Sequence, residues 1–162
     1  MSSGRSSNAE VWTGLYSVNA CLDRPNRIFV FGDNLARKGC KGQAIIRNCR
    51  NAYGVATKVL PSMKDGSFYS DGIEAHLSAT LDDLRALYKL MKSNPDLIIT
   101  FPENGLGTGL AKMDELAPKT FKMMNQVISR YFLGQAYFLE DRRSESYKEI
   151  ILSSSGGLSL NN

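Results

Sequence analysis

The chain has 162 residues, 43% of them hydrophobic and 22% charged, which suits one globular domain with a real core and excludes a disordered chain. A formal net charge of +4 favours an anionic ligand without amounting to a nucleic-acid-binding signature. No apolar run approaches the roughly 20 residues of a membrane span, and the start MSSGRSSNAE has no hydrophobic signal region. Cys21, Cys40 and Cys49 are odd in number and lack paired short spacing, which argues against a disulfide framework; with His76 as the single histidine, no metal site and no cofactor is expected. Free thiols fit a reducing compartment, so the chain reads as a soluble intracellular protein.

Residues 1–9 and 153–162 are rich in Ser, Gly and Asn and read as loose tails around one domain, 10–152. In chain order, strands are expected at Val11–Ser17, Arg27–Phe31, Gly54–Leu60, Leu97–Phe101 and Gln135–Leu139. A short helix is expected at Gln43–Asn51. A longer one follows from Ile73, Leu77, Leu81, Leu84, Leu87 and Met91, with Asp71 and Glu74 at capping-box separation. A further helix carries Leu116, Thr120, Phe121, Met124, Val127, Ile128 and Tyr131 on one face. Asp114 and Glu115 stand in its first turn, and Pro118 is tolerated near its start. Strands alternating with helices predict an α/β fold whose central sheet is mixed and partly parallel, with ligands at the carboxyl ends of its strands.

Two loops leave strands at that edge. The first holds Gly32, Asp33, Asn34, Gly39, Gly42 and Gln43. Its glycines let the backbone approach a ligand, and Asp33 and Asn34 are placed to hydrogen-bond a ribose or a base; a turn requiring Gly and Asn explains the same residues. The second holds Asn104, Gly105, Leu106, Gly107, Thr108, Gly109 and Leu110. Glycines at alternate positions can fold their amides into a nest around phosphate, and Thr108 adds a hydroxyl donor. It is neither G-x-G-x-x-G with a downstream acid nor G-x-x-x-x-G-K-S/T, so a dinucleotide or ATP site is not the reading. A side chain at Gly107, as in Gly107→Val, is expected to block the ligand and spare the fold. Between the loops, Lys58 reads either as a solvent-facing strand lysine or as a nucleophile or phosphate contact. His76 reads as exposed. Trp12, Tyr53, Phe68 and Tyr69 are stacking candidates, the last two favoured by their polar loop, with core packing the commoner role. Cys40, between Lys38 and Lys41, is the one thiol placed for reactivity.

The stretches FGDNLARKGCKGQAIIRN (31–48) and TFPENGLGTGLAKMDELAPKTFKMMNQVI (100–128) together resemble the macro domain family. The resemblance implies a three-layer α/β/α fold, with the second loop wrapping the diphosphate of ADP-ribose and the first meeting its distal ribose. The pair Thr57-Lys58 on a strand between the loops is similar to the subgroup of the terminal ADP-ribose glycohydrolase. In that subgroup the lysine attacks the anomeric carbon and an aspartate after G-x-G-L assists. This chain has Ala111 at that place, so the resemblance implies Lys58 as nucleophile with its acid supplied elsewhere: by Asp33 first, or by Glu103 or Asp114. The expected function is binding of ADP-ribose or a derivative with hydrolysis of ADP-ribosylated protein or nucleic acid, or of ADP-ribose 1''-phosphate. The alternatives are a non-catalytic binder of such a nucleotide signal and a single-stranded nucleic-acid binder. No membrane partner is expected, and the oligomeric state stays open.

Overall fold

The computed structural model describes residues 8–138. The expected tails, apart from Asn8 and Ala9, and the end of the expected domain lie outside them. The elements are β1 (Ala9–Trp12), α1 (Val18–Asp23), β2 (Arg27–Asn34), a 3₁₀ helix (Gly42–Ile46), β3 (Ala52–Lys58), α2 (Glu74–Ser93), β4 (Ile98–Pro102), α3 (Met113–Leu116), α4 (Pro118–Val127) and a π-helical extension (Ile128–Leu133). The strands form one sheet in the order β1-β4-β2-β3, and its three pairings are all parallel. The sheet is thus α/β and parallel where a mixed one was expected; among the described residues the only antiparallel partner is an isolated Lys58–Phe68 bridge.

Alternation along β2 divides the core. Val30 joins Val55, Ile99 and Phe101 beneath Leu84 and Leu87 of α2, Met124 and Val127 of α4, and Phe132. Phe29 and Phe31 point the other way, onto Tyr16, Cys21, Ala44 and Ile46. Each such fully buried side chain contributes about 1.5–3 kcal/mol, so both clusters are needed to hold a sheet this small. On α2, Leu81, Leu84, Leu87 and Met91 are buried as their spacing predicts, whereas Ile73 and Leu116 lie outside the core and are exposed.

Several expected elements are corrected. Val11–Ser17 is strand only to Trp12, because Ser17 turns to cap α1, its hydroxyl accepting from the Ala20 amide at 3.0 Å. The helix expected over Gln43–Asn51 is a 3₁₀ helix that ends at Ile46. Residues 135–138 form no strand; Leu139 lies outside the described residues. The Tyr137 amide instead donates to Ser129 Oγ at 2.9 Å, its hydroxyl donates to the Pro102 carbonyl, and Phe138 takes a left-handed φ of 57° that ends extension. Asp71 does not cap α2. Its two oxygens accept from the Lys119 and Thr120 amides, each at 2.9 Å, and so cap α4 across 48 and 49 residues of sequence. Burial opposes ionisation of Asp71, but those amides outweigh it and hold the carboxyl below its ordinary value.

Helix α2 also covers the free edge of β3. Thr80 Oγ1 donates to the Ala56 carbonyl at 2.7 Å, and the Ala56 amide donates to Asp83 Oδ2 at 2.8 Å. The amide and carbonyl of Ala56, which would otherwise invite another strand, are thereby satisfied.

Candidate functional site

Strands β2 and β4 pair only through Arg27–Phe29 and Ile98–Thr100, then part toward their carboxyl ends. The chain leaves β2 toward the cluster containing Ala44 and Ile46, and leaves β4 toward the opposite cluster containing Met113 and Met124. A crevice opens where neighbouring strands send their connections to opposite faces. Its root is held by Tyr16, whose hydroxyl lies 2.7 Å from the Val30 carbonyl and 3.1 Å from the Thr100 carbonyl. Higher up, Gln43 spans it: its Oε1 accepts from the Gly32 amide at 2.9 Å, and its Nε2 donates to the Gly105 carbonyl at 2.8 Å.

The second loop forms one wall. Gly105 and Gly107 adopt φ of 85° and 78°, a region that only glycine enters without strain. Leu106 between them is fully buried and anchors the turn. Gly105 donates to the Pro102 carbonyl at 3.1 Å, Lys112 to Gly109 at 3.1 Å, and Met113 to Gly107 at 2.8 Å. Among the described residues, the amides of Leu106 through Ala111 have no acceptor. Such a run of six successive free backbone N–H groups is the raw material of an anion-binding nest where the groups converge. A Cβ on Gly109 would meet nothing within 4 Å, so that residue borders open space. The Thr108 hydroxyl, expected to serve a ligand, donates inward to the Asn104 carbonyl at 2.6 Å. Leu110 is exposed.

The two loops meet over Gly32, where a Cβ would stand 3.3 Å from Thr57 Oγ1 and 3.4 Å from the Gly107 amide nitrogen. The rest of the first loop faces its own scaffold. Asp33 is buried and grips Arg47 through both oxygens, at 2.5 and 3.1 Å, with Arg37 at 3.5 Å. Arg47 also donates to the Gly39 carbonyl at 2.6 Å and the Lys38 carbonyl at 3.1 Å, and its guanidinium lies 5.2 Å from the Phe31 ring centre. Arg37 carries this network to Asp83 on α2, through contacts of 2.9 and 2.8 Å. Burial raises the Asp83 carboxyl above its ordinary pKa against the pull of these donors. Asn34 is likewise committed, its Nδ2 donating to the Lys38 carbonyl at 2.7 Å. Asp33 and Asn34 therefore build the loop and do not reach toward a ligand. Gly42 remains open, while a Cβ on Gly39 would touch Pro61 at 3.4 Å.

Lys58 ends β3, next to Thr57, which packs against Gly32 and Gly107. It is buried, its amine 3.5 Å from Met63 Sδ and 4.9 Å from the Phe68 ring centre. No carboxylate pairs with it among the described residues. Burial lowers its pKa, and the nearby positive charge of Lys112 lowers it further. The acids suggested to assist it stand apart in role. Asp33 is held by two arginines, Glu103 accepts from the Gly14 amide, and Asp114 is exposed in the short α3.

Of the aromatic candidates, Phe68 is half-buried beside Lys58, whereas Tyr69 is a core residue stacked on His76 at 4.5 Å. His76 is half-buried rather than exposed and accepts from the Ser70 amide. Tyr53 donates to the Asp83 carbonyl, and Trp12 packs edge-on against Phe29 with Arg24 over its ring. Cys40 is exposed. Among the described residues there is no cluster of metal-ligating side chains, and no helix is long and apolar enough to cross a membrane. Arg37, Arg47, Asp83, Tyr16 and Lys112 escaped the sequence reading. Arg47 left one trace, a cation closing the apolar IIR triplet after a glycine loop.

No curated protein and no solved structure matches the chain. A family model described as a family of unknown function, DUF7831, matches residues 11–127. That span runs from β1 to the end of α4 and contains both loops, Gln43 and Lys58, so the chain belongs to the DUF7831 family.

Proposed function

We propose that the chain binds ADP-ribose or a close derivative at the carboxyl edge of its sheet, the diphosphate lying on the second glycine loop. The observation that carries this reading is the run of free amides from Leu106 to Ala111 beside the β2–β4 crevice. Lys58 and Lys112 add positive charge that no carboxylate neutralises among the described residues. Apolar clusters on both faces of the sheet support a three-layer, macro-like arrangement as part of the same proposal. Calorimetry with ADP-ribose tests the reading. Gly109→Val places its side chain in open space, so it should leave the thermal midpoint unchanged and weaken ADP-ribose at least tenfold. Unchanged affinity in a folded Gly109→Val protein removes the loop from the site.

A hydrolytic role for the same site has one observation in its favour, the buried amine of Lys58, with which no carboxylate pairs among the described residues. Neutral amine is what attack on an anomeric carbon requires. The pH dependence separates the two roles. As a phosphate contact, Lys58 loses its charge as pH rises through its lowered pKa, so affinity falls at a lower pH than for an ordinary lysine. As a nucleophile, it gains reactive amine over the same window, so turnover rises. Lys58→Ala should abolish release of ADP-ribose from ADP-ribosylated protein or nucleic acid while weakening binding only a few-fold. Full turnover in that variant rules out the covalent role, and tight binding by the wild type with no release from any such substrate leaves a binding module.

A further inference from the structure

Between Asp33 and Asp65 the chain contains seven Lys and Arg residues and no Asp or Glu, while the remainder carries thirteen cations against sixteen acids. The positive charge of the protein is thus gathered into the first loop, β3 and the segment that follows it. Two of the seven, Arg37 and Arg47, are neutralised by Asp33 and Asp83. Lys38, Lys41 and Lys64 are exposed and form no ion pair among the described residues. The fold brings them to one edge. Gly39 lies against Pro61, and Met63 covers Lys58, so the first loop, the segment after β3 and the glycine-loop crevice adjoin one another. Of the acids nearest this edge, Asp33 is paired, Glu103 is bound to the Gly14 amide, and exposed Asp65 marks the end of the strip beside Lys64.

We infer that the protein engages a single-stranded nucleic acid along this strip, the lysines taking backbone phosphates while a terminal or attached nucleotide enters the crevice. The inference rests on the phosphate-cradle reading of the second loop and extends it from a free nucleotide to a nucleotide borne on a strand. A row of phosphodiesters satisfies both features, spaced charges along the strip and an oxygen-rich anion in the cradle. Phe68, half-buried beside Lys58, offers a ring face at their junction.

The experiment is fluorescence anisotropy with a labelled oligo(dT) of about twelve nucleotides, titrated at several salt concentrations. Lys38→Glu/Lys41→Glu/Lys64→Glu should weaken it at least tenfold near 50 mM salt and reduce the salt slope by about 2. ADP-ribose affinity, measured on the same variant, should fall by a clearly smaller factor than oligonucleotide affinity, because ADP-ribose does not lie along the strip. Absence of oligonucleotide binding by the wild type, an unchanged affinity in the triple variant, or equally tight binding of poly-glutamate each overturns the inference. Gly109→Val keeps the two readings apart: unchanged ADP-ribose affinity there fails the cradle, whereas retained oligonucleotide binding in the lysine variant fails the strip.

Discussion

Arg47→Ala should lower the unfolding free energy by about 3 kcal/mol, the lower end for breaking a buried ion pair, because it strands the buried Asp33 carboxylate and frees two loop carbonyls at once. Arg47→Lys should recover little of this. One ammonium cannot hold both Asp33 oxygens and the Gly39 and Lys38 carbonyls in the planar fork that the guanidinium supplies. Urea unfolding of the variants, read at constant m-value, measures the loss. A loss under about 1 kcal/mol would place the pair with surface salt bridges and remove Arg47 as the organiser of the first loop. Asp33→Asn/Arg47→Ala should be less damaging than the two single changes summed, since the double variant buries no orphaned charge.

Gly107→Val should cost about 3 kcal/mol, combining overpacking with left-handed strain. Its Cβ would stand 2.9 Å from Met113 Cβ and Sδ and 3.2 Å from Thr57 Cβ, on a backbone at φ 78°. That position is particularly unfavourable for a β-branched residue. The expectation that this change would spare the fold is therefore corrected: in the folded protein Gly107 touches α3 and β3 as well as bordering the cradle. A large fall in thermal midpoint for Gly107→Val beside an unchanged one for Gly109→Val is the expected pattern. Equal stability of the two variants would show that the loop is not packed as described.

The elements that sequence revealed are those whose apolar period is long or whose residues are buried on both sides. RIFVF and LIITF became β2 and β4, and the Leu81–Met91 spacing became the inner face of α2. What escaped was settled by partners far along the chain. Asp71 reads locally as a cap for the helix it precedes, yet it caps α4 because the two segments meet only in the folded chain. QAYFL has strand composition, but Tyr137 is drawn to the Pro102 carbonyl and Phe138 turns back on it. In the candidate site, the loop glycines were legible because their spacing is a backbone property, and Lys58 was legible as a strand lysine, although β3 ends at it where the expected strand ran on to Leu60. The roles of Asp33 and Asn34 were not. A carboxylate at a strand end looks the same in sequence whether it faces a ligand or an arginine fourteen residues away.

The root of the crevice is fastened by neutral groups. The Tyr16 phenol is pushed above its ordinary pKa, chiefly by burial, and its neighbours across the gap are two peptide carbonyls. Gln43, which spans the gap above, has no titratable atom. The contacts that Tyr16 and Gln43 make across the β2–β4 gap therefore carry no titrating group, while the charged pair nearby, Arg27 with Glu10, lies on the side where the two strands are still joined. A response of ligand affinity to salt or pH is then carried by charged groups away from these two bridges: Lys58, Lys112, the Asp33–Arg47–Arg37–Asp83 network and the ligand itself.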